Sequence, residues 1–155
     1  MLGGEASNSP PFFFEGGVMP GEIVASNALL KNRSEIVRTY FDSAHSLRLY
    51  ANDLHPLPKD ASAAFVEASF PGYARISMAG KWKPVLKLED GSYHFSSLDC
   101  TFTPTGPSNE YAYGWYLFGP LGTVLSCRLP FPALMTIGSP LTVRADVITW
   151  AASIL

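Results

Sequence analysis

A chain of 155 residues with a net charge of −2 is long enough to bury one core without disulfide or metal staples, and it lacks the basic face that nucleic-acid binding requires. Only 15% of its residues are charged, against roughly 25% in ordinary soluble domains, while 47% are hydrophobic; this balance points to apolar surface covered by a partner. No apolar run approaches the roughly 20 residues of a membrane-spanning helix, so no membrane contact is expected.

Residues 1–21 read as an extended N-terminal arm ahead of a domain spanning 22–155. Gly3, Gly4, Pro10, Pro11, Gly16, Gly17, Pro20 and Gly21 deny the arm regular structure, yet it carries Phe12, Phe13, Phe14, Val18 and Met19. A phenylalanine is worth about 2 kcal/mol when buried. The arm is therefore expected to dock its aromatics, on a neighbouring subunit or on the chain's own domain. The opening residues lack a basic start and a long apolar core, so no secretion signal is expected and the protein is placed in a cytoplasm.

Glu22 to Phe41 is the one helical region, with Ile23, Asn27 and Leu30 at i, i+4 and i+7. Within it, Ser34 to Tyr40 favours a strand because Ile36, Val37 and Thr39 are β-branched. From Ser46 the pattern is β. Leu47, Leu49 and Ala51 alternate with Ser46, Arg48 and Tyr50 until Asn52-Asp53 and Pro56-Leu57-Pro58 end the run. Phe65 to Phe70 and Tyr73 to Met78 follow as strands split by Pro71-Gly72. Trp82 to Leu88, broken by Pro84, reads as an edge strand, and Asp90-Gly91 as a two-residue type I′ hairpin turn leading to Tyr93.

Leu98 to Thr103 is a further strand, and Thr103 to Asn109 a loop. Tyr111 to Phe118 and Thr123 to Leu129 are joined by the turn Gly119-Pro120-Leu121-Gly122. Pro130-Phe131-Pro132 is expected to end that pairing, and Thr136 to Trp150 supplies the last strand or pair. About eight strands at this spacing predict an all-β fold, a single antiparallel β-sandwich with one short N-terminal helix.

Tyr111 to Phe118 is apolar on both faces, which predicts a central strand. Tyr111, Tyr113, Trp115 and Leu117 alternate along one face. Such a row suits core packing, which is favoured for Trp115; as an alternative, Tyr111, Tyr113 and Trp115 could form a glycan-stacking platform. Cys100 and Cys127 both alternate with leucine or phenylalanine, so both thiols are expected inside and reduced.

The sequence contains no catalytic signature. His45, His55 and His94 stand in no metal-ligand spacing, and two cysteines without a CxxC make no zinc site, so neither metal nor cofactor is expected. Asp53 and His55 share a face of an extended segment but read as turn residues, since no nucleophile elbow accompanies them. Glu22 and Glu89 are acids that nothing brings together. Lys81, Lys83 and Lys87 around Trp82 read as a solvated or edge-protecting face. No enzyme activity is expected.

The order of several short motifs resembles a group of small β-sandwich virion structural proteins of tailed bacteriophages and prophages. The motifs are Gly21-Glu22, Leu29-Leu30, Leu47-Arg48-Leu49-Tyr50-Ala51-Asn52-Asp53, and Phe65-Val66-Glu67-Ala68-Ser69-Phe70-Pro71-Gly72-Tyr73. Trp82, Thr101-Phe102, Tyr113-Gly114-Trp115-Tyr116, Arg128-Leu129-Pro130, Gly138 and Leu141-Thr142-Val143 complete the series. The likeness covers about Gly21 to Thr149 and departs in the first 20 residues and at Leu125-Ser126-Cys127-Arg128. It implies a non-catalytic virion component, decorating or stabilising a capsid or belonging to a tail or fibre. Its partners would be copies of itself, in a homo-oligomer or symmetric assembly, and other virion proteins, joined in the host cytoplasm. A carbohydrate- or receptor-binding module is the alternative.

Overall fold

The computed structural model describes residues 26–149. The fold is all-β with one helix: within these residues nine strands form three antiparallel sheets.

Helix α1 (Asn27–Phe41) starts where the Ser26 side chain accepts a 3.2 Å hydrogen bond from the Leu29 N–H, an N-cap that satisfies an otherwise orphaned donor. It runs straight through Ile36, Val37 and Thr39, contrary to the strand expected at Ser34 to Tyr40. Leu30, Ser34 and Phe41 are buried and Val37 packs on the core beside them. Those positions are spaced i, i+4, i+7 and i+11, a helical stripe, and burying it outweighs the few tenths of a kcal/mol by which β-branching disfavours helix.

The largest sheet has the order β2–β1–β6–β7, from β1 (Ser46–Tyr50), β2 (Ile76–Ser77), β6 (Tyr111–Gly119) and β7 (Gly122–Leu134). Strand β6 is central, as its two apolar faces predict. A second sheet, β3–β4–β9, joins β3 (Leu86–Lys87), β4 (Tyr93–Ser96) and β9 (Asp146–Thr149), while β5 (Cys100–Phe102) pairs with β8 (Leu141–Val143). One core cluster unites these layers: Leu47 and Leu49 from β1, Trp115 and Leu117 from β6, Phe95 from β4, Phe102 from β5, and Phe41 from α1. Trp82 adds an indole within 5.6 Å of both the Phe41 and Phe95 rings, measured between centroids.

A smaller cluster of Tyr50, Phe65 and Tyr116 lies apart from this core. Phe65 stacks on Tyr116 at 4.7 Å, so the segment after β1 folds back over the large sheet.

Four further expectations need correction. Phe65 to Phe70 is not a strand. A short 3-10 turn (Ser62–Ala64) precedes it, and the chain then follows β1 only through a bridge at Tyr50 and Glu67 and bonds from Ala51 N to Val66 O and Ala68 N to Leu49 O. Of Tyr73 to Met78 only the two residues of β2 pair. The Asp90-Gly91 turn is not type I′, because Asp90 does not have positive φ; among the described residues only glycines do. Gly91, at φ 85°, closes a three-residue loop in which Gly91 N bonds Leu88 O and Leu88 N bonds Ser92 O. Finally, Pro130-Phe131-Pro132 does not end the hairpin. Pairing breaks between Gly114↔Arg128 and Ala112↔Ala133 and resumes to Tyr111↔Leu134, so the prolines occupy a bulge.

Candidate functional site

The β6–β7 hairpin and the segments that clasp it carry most of the unusual features of the surface. Arg128 is the clasp. It lies on β7, where one guanidinium nitrogen donates to Asp53 at 2.6 Å and another to the Leu54 carbonyl at 2.7 Å, while the group sits 5.6 Å from the Tyr113 ring centroid. Further along, Ser62 Oγ accepts from the Thr123 N–H at 3.0 Å. The segment after β1 is thereby tied at two points to the strand that closes the sheet.

A second network centres on Glu67. Its carboxylate accepts from Tyr73 Oη at 2.9 Å and from Arg75 Nε and Nη2 at 2.8 Å each, and lies 3.8 Å from Arg48 Nη1. The bonded Arg75 guanidinium, helped by Tyr73 and Arg48, holds Glu67 below the usual carboxylate range despite its partial burial. Burial and the same carboxylate push the Tyr73 hydroxyl strongly upward. Arg48 lies 4.0 Å over the Phe118 ring and donates to Ser46 Oγ at 2.9 Å.

His45 closes the hairpin end of the core. Only 3% exposed, it packs edge-on to Tyr40 at 4.7 Å and lies against Gly119, where any Cβ would collide with the imidazole. Neither ring nitrogen has a hydrogen-bond partner among the described residues, and burial lowers its pKa below the ordinary value, with the Ser43 backbone partly offsetting.

The residues singled out from sequence are scattered over this frame. Trp115 is 7% exposed and belongs to the main core, where the sequence places it. Tyr113 packs instead against the Tyr50 cluster, and Tyr111 is 45% exposed. The bulge between Ala112 and Gly114 breaks the alternation, so the three rings do not line one open face. Phe12, Phe13, Phe14, Val18, Met19 and Glu22 lie outside the described residues.

Cys100 is buried as expected, but Cys127 is exposed, which corrects the inward placement. Among the described residues strand β7 has no strand on its other side, so a residue there can alternate correctly and still meet solvent. Asp53 is engaged by Arg128 and His55 is exposed. His94 Nε2 lies 3.3 Å from Asp146 across paired strands, with Arg144 sharing that carboxylate. Trp82 is buried while Lys83 and Lys87 are exposed. No group of three or more His, Cys, Asp or Glu among the described residues could hold a metal ion, and no helix there is long and apolar enough to cross a membrane.

Two features were missed in the sequence. The Arg128–Asp53 pair joins residues 75 positions apart, and no local pattern announces it. The apolar surface of the hairpin, with Leu121 79% and Phe131 82% exposed, had a signal in Pro130-Phe131-Pro132, where prolines bracket an aromatic that the ladder cannot bury.

No family model, curated protein or solved structure matches the chain.

Proposed function

We propose that this protein is a non-enzymatic structural component of a tailed-bacteriophage particle, assembling through its N-terminal arm and the apolar surface of its large sheet. The observation that carries this reading is β7, a 13-residue strand that has no second strand paired to it among the described residues and exposes Phe131 and Leu134 beside Tyr111. Isolated apolar residues are ordinary on a surface. An edge strand bearing them suits side-chain contact with another chain, because it offers apolar area to bury. The order of motifs shared with small virion proteins supports the same reading.

Repeated weak contacts suffice in such a particle, since symmetry multiplies them. The test is mass by light scattering, together with a glycan array. Concentration-dependent assembly without glycan binding is the expected result. A strict monomer that binds glycans would replace this reading with a recognition module.

A further inference from the structure

At the hairpin end of the large sheet, a cavity of about 530 Å³ combines an apolar wall, excess positive charge and a buried unpartnered group. Phe118, Pro120 and Ala44 supply apolar wall, Arg48 and Arg75 the charge, and His45 the unpartnered imidazole. No carboxylate among the described residues lines it. Among the described residues the two guanidiniums share only Glu67 behind them, which leaves one positive charge over, and Arg75 is 55% exposed and can take a second anion.

The chain itself holds a segment of matching chemistry. Residues 1–25 contain Glu5, Glu15 and Glu22 and no lysine or arginine, whereas residues 26–149 carry a net charge of +1. Glu15 directly follows Phe12, Phe13 and Phe14, so a carboxylate and three rings arrive together. We infer that this cavity receives the Phe12–Glu15 segment of a second copy of the chain, with the Glu15 carboxylate on Arg75 and the rings against Phe118 and Pro120. Helix α1 is about 22 Å long and the roughly eleven residues from Glu15 to Ser26 reach about 36 Å, so reach alone does not choose the copy. A neighbour's cavity is chosen because the arm is proposed above to join copies, and crosslinks within single copies are the outcome that counts against it. The inference rests on the arm-mediated assembly proposed above and names the surface that receives the arm.

The experiment places a photoreactive phenylalanine analogue at position 13 of the full chain and irradiates a mixture of unlabelled and nitrogen-15-labelled protein. The expected crosslinks join labelled to unlabelled chains and fall within Ala44–Arg48 or Phe118–Pro120. Glu15→Gln, which alters no described residue, should cut their yield several-fold, as should Arg75→Gln at an exposed position. Crosslinks within single copies, crosslinks elsewhere in an oligomer, or yields indifferent to both substitutions would overturn this inference while leaving assembly standing. A chain that stays monomeric at every concentration would overturn the assembly reading as well.

Discussion

Gly114 on β6 lies flush against the ring of its β1 partner Tyr50, with the Cys127 carbonyl closing on it from β7. Three strands meet at a point that has no room for a methyl group. Gly114→Ala must push against backbone on the β7 side, which a side-chain rotation cannot relieve, and overpacking of this kind costs about 1–3 kcal/mol. The expected result is a clear fall in Tm by circular dichroism; a melting curve like the parent's would show that the strands stand further apart.

Trp115 tests the core from the opposite direction. It fills space between the large sheet and the layers bearing Phe95 and Phe102. Removing so large a side chain leaves a void and costs about 3–5 kcal/mol. Trp115→Ala should therefore melt far below the parent or accumulate as insoluble protein. A variant that melts normally but loses binding to a glycan would put Trp115 on a recognition surface.

The two thiols should separate by rate. Burial pushes the Cys100 thiol above its usual range and hides it; Cys127 is crowded enough to be raised too, but stands exposed. In native protein a thiol reagent should modify Cys127 first and Cys100 only on unfolding, with two free thiols counted after denaturation. Equal rates would contradict the placement of β7.

Acid should weaken the fold in two stages. His45 has a folded pKa below its unfolded value near 6.5, so the unfolded chain binds the proton more readily, and stability declines as pH falls below about 6.5 through the depressed folded value. Glu67 is also lowered, from an ordinary value of 4.5, and its contribution fades only below that point as the carboxylate is protonated. Urea midpoints measured from pH 8 to pH 3 should show both limbs. His45→Leu should flatten the first limb alone, whatever its effect on overall stability; an unchanged first limb would acquit the imidazole.

The Arg128 clasp should govern local opening more than global stability. Its pair with Asp53 is largely exposed on the acid side, and such pairs are worth about 0–1 kcal/mol. Arg128→Lys loses the two-pronged donation to Asp53 and Leu54. Hydrogen exchange should quicken between residues 51 and 65 with Tm nearly unchanged. Uniform protection would show that the Phe65–Tyr116 stack alone holds the segment.

Legibility from sequence followed the range of the interactions. Strands β1 and β6 were readable because alternation and burial coincide there, and β6 even announced its central position by being apolar on both faces. The helix failed at Ser34 to Tyr40 because its stripe of Leu30, Ser34, Val37 and Phe41 includes a serine, which hides the period. That serine is buried by donating to the Leu30 carbonyl and meeting Thr149, a residue more than a hundred positions away. Phe65 to Phe70 has strand composition, yet it meets β1 at one bridge and two backbone bonds and otherwise packs on the Tyr50 and Tyr116 rings and bonds the Glu110 carboxylate, all set by tertiary structure. The Arg128 and Glu67 networks were invisible for the same reason. Each is assembled from segments that only the completed fold brings together.

The prolines in the β7 bulge bear on how copies can join. An unprotected strand of thirteen residues could recruit another like itself, and that one the next, giving a filament with no natural end. Pro130 and Pro132 have no N–H to offer, and the bulge they occupy takes the strand out of regular register. Strand-on-strand growth therefore stalls in that half of the edge, and the Ser62 bond to Thr123 occupies a donor in the other. Growth by endless strand pairing is discouraged, and copies that join at this edge do so through side chains such as Phe131.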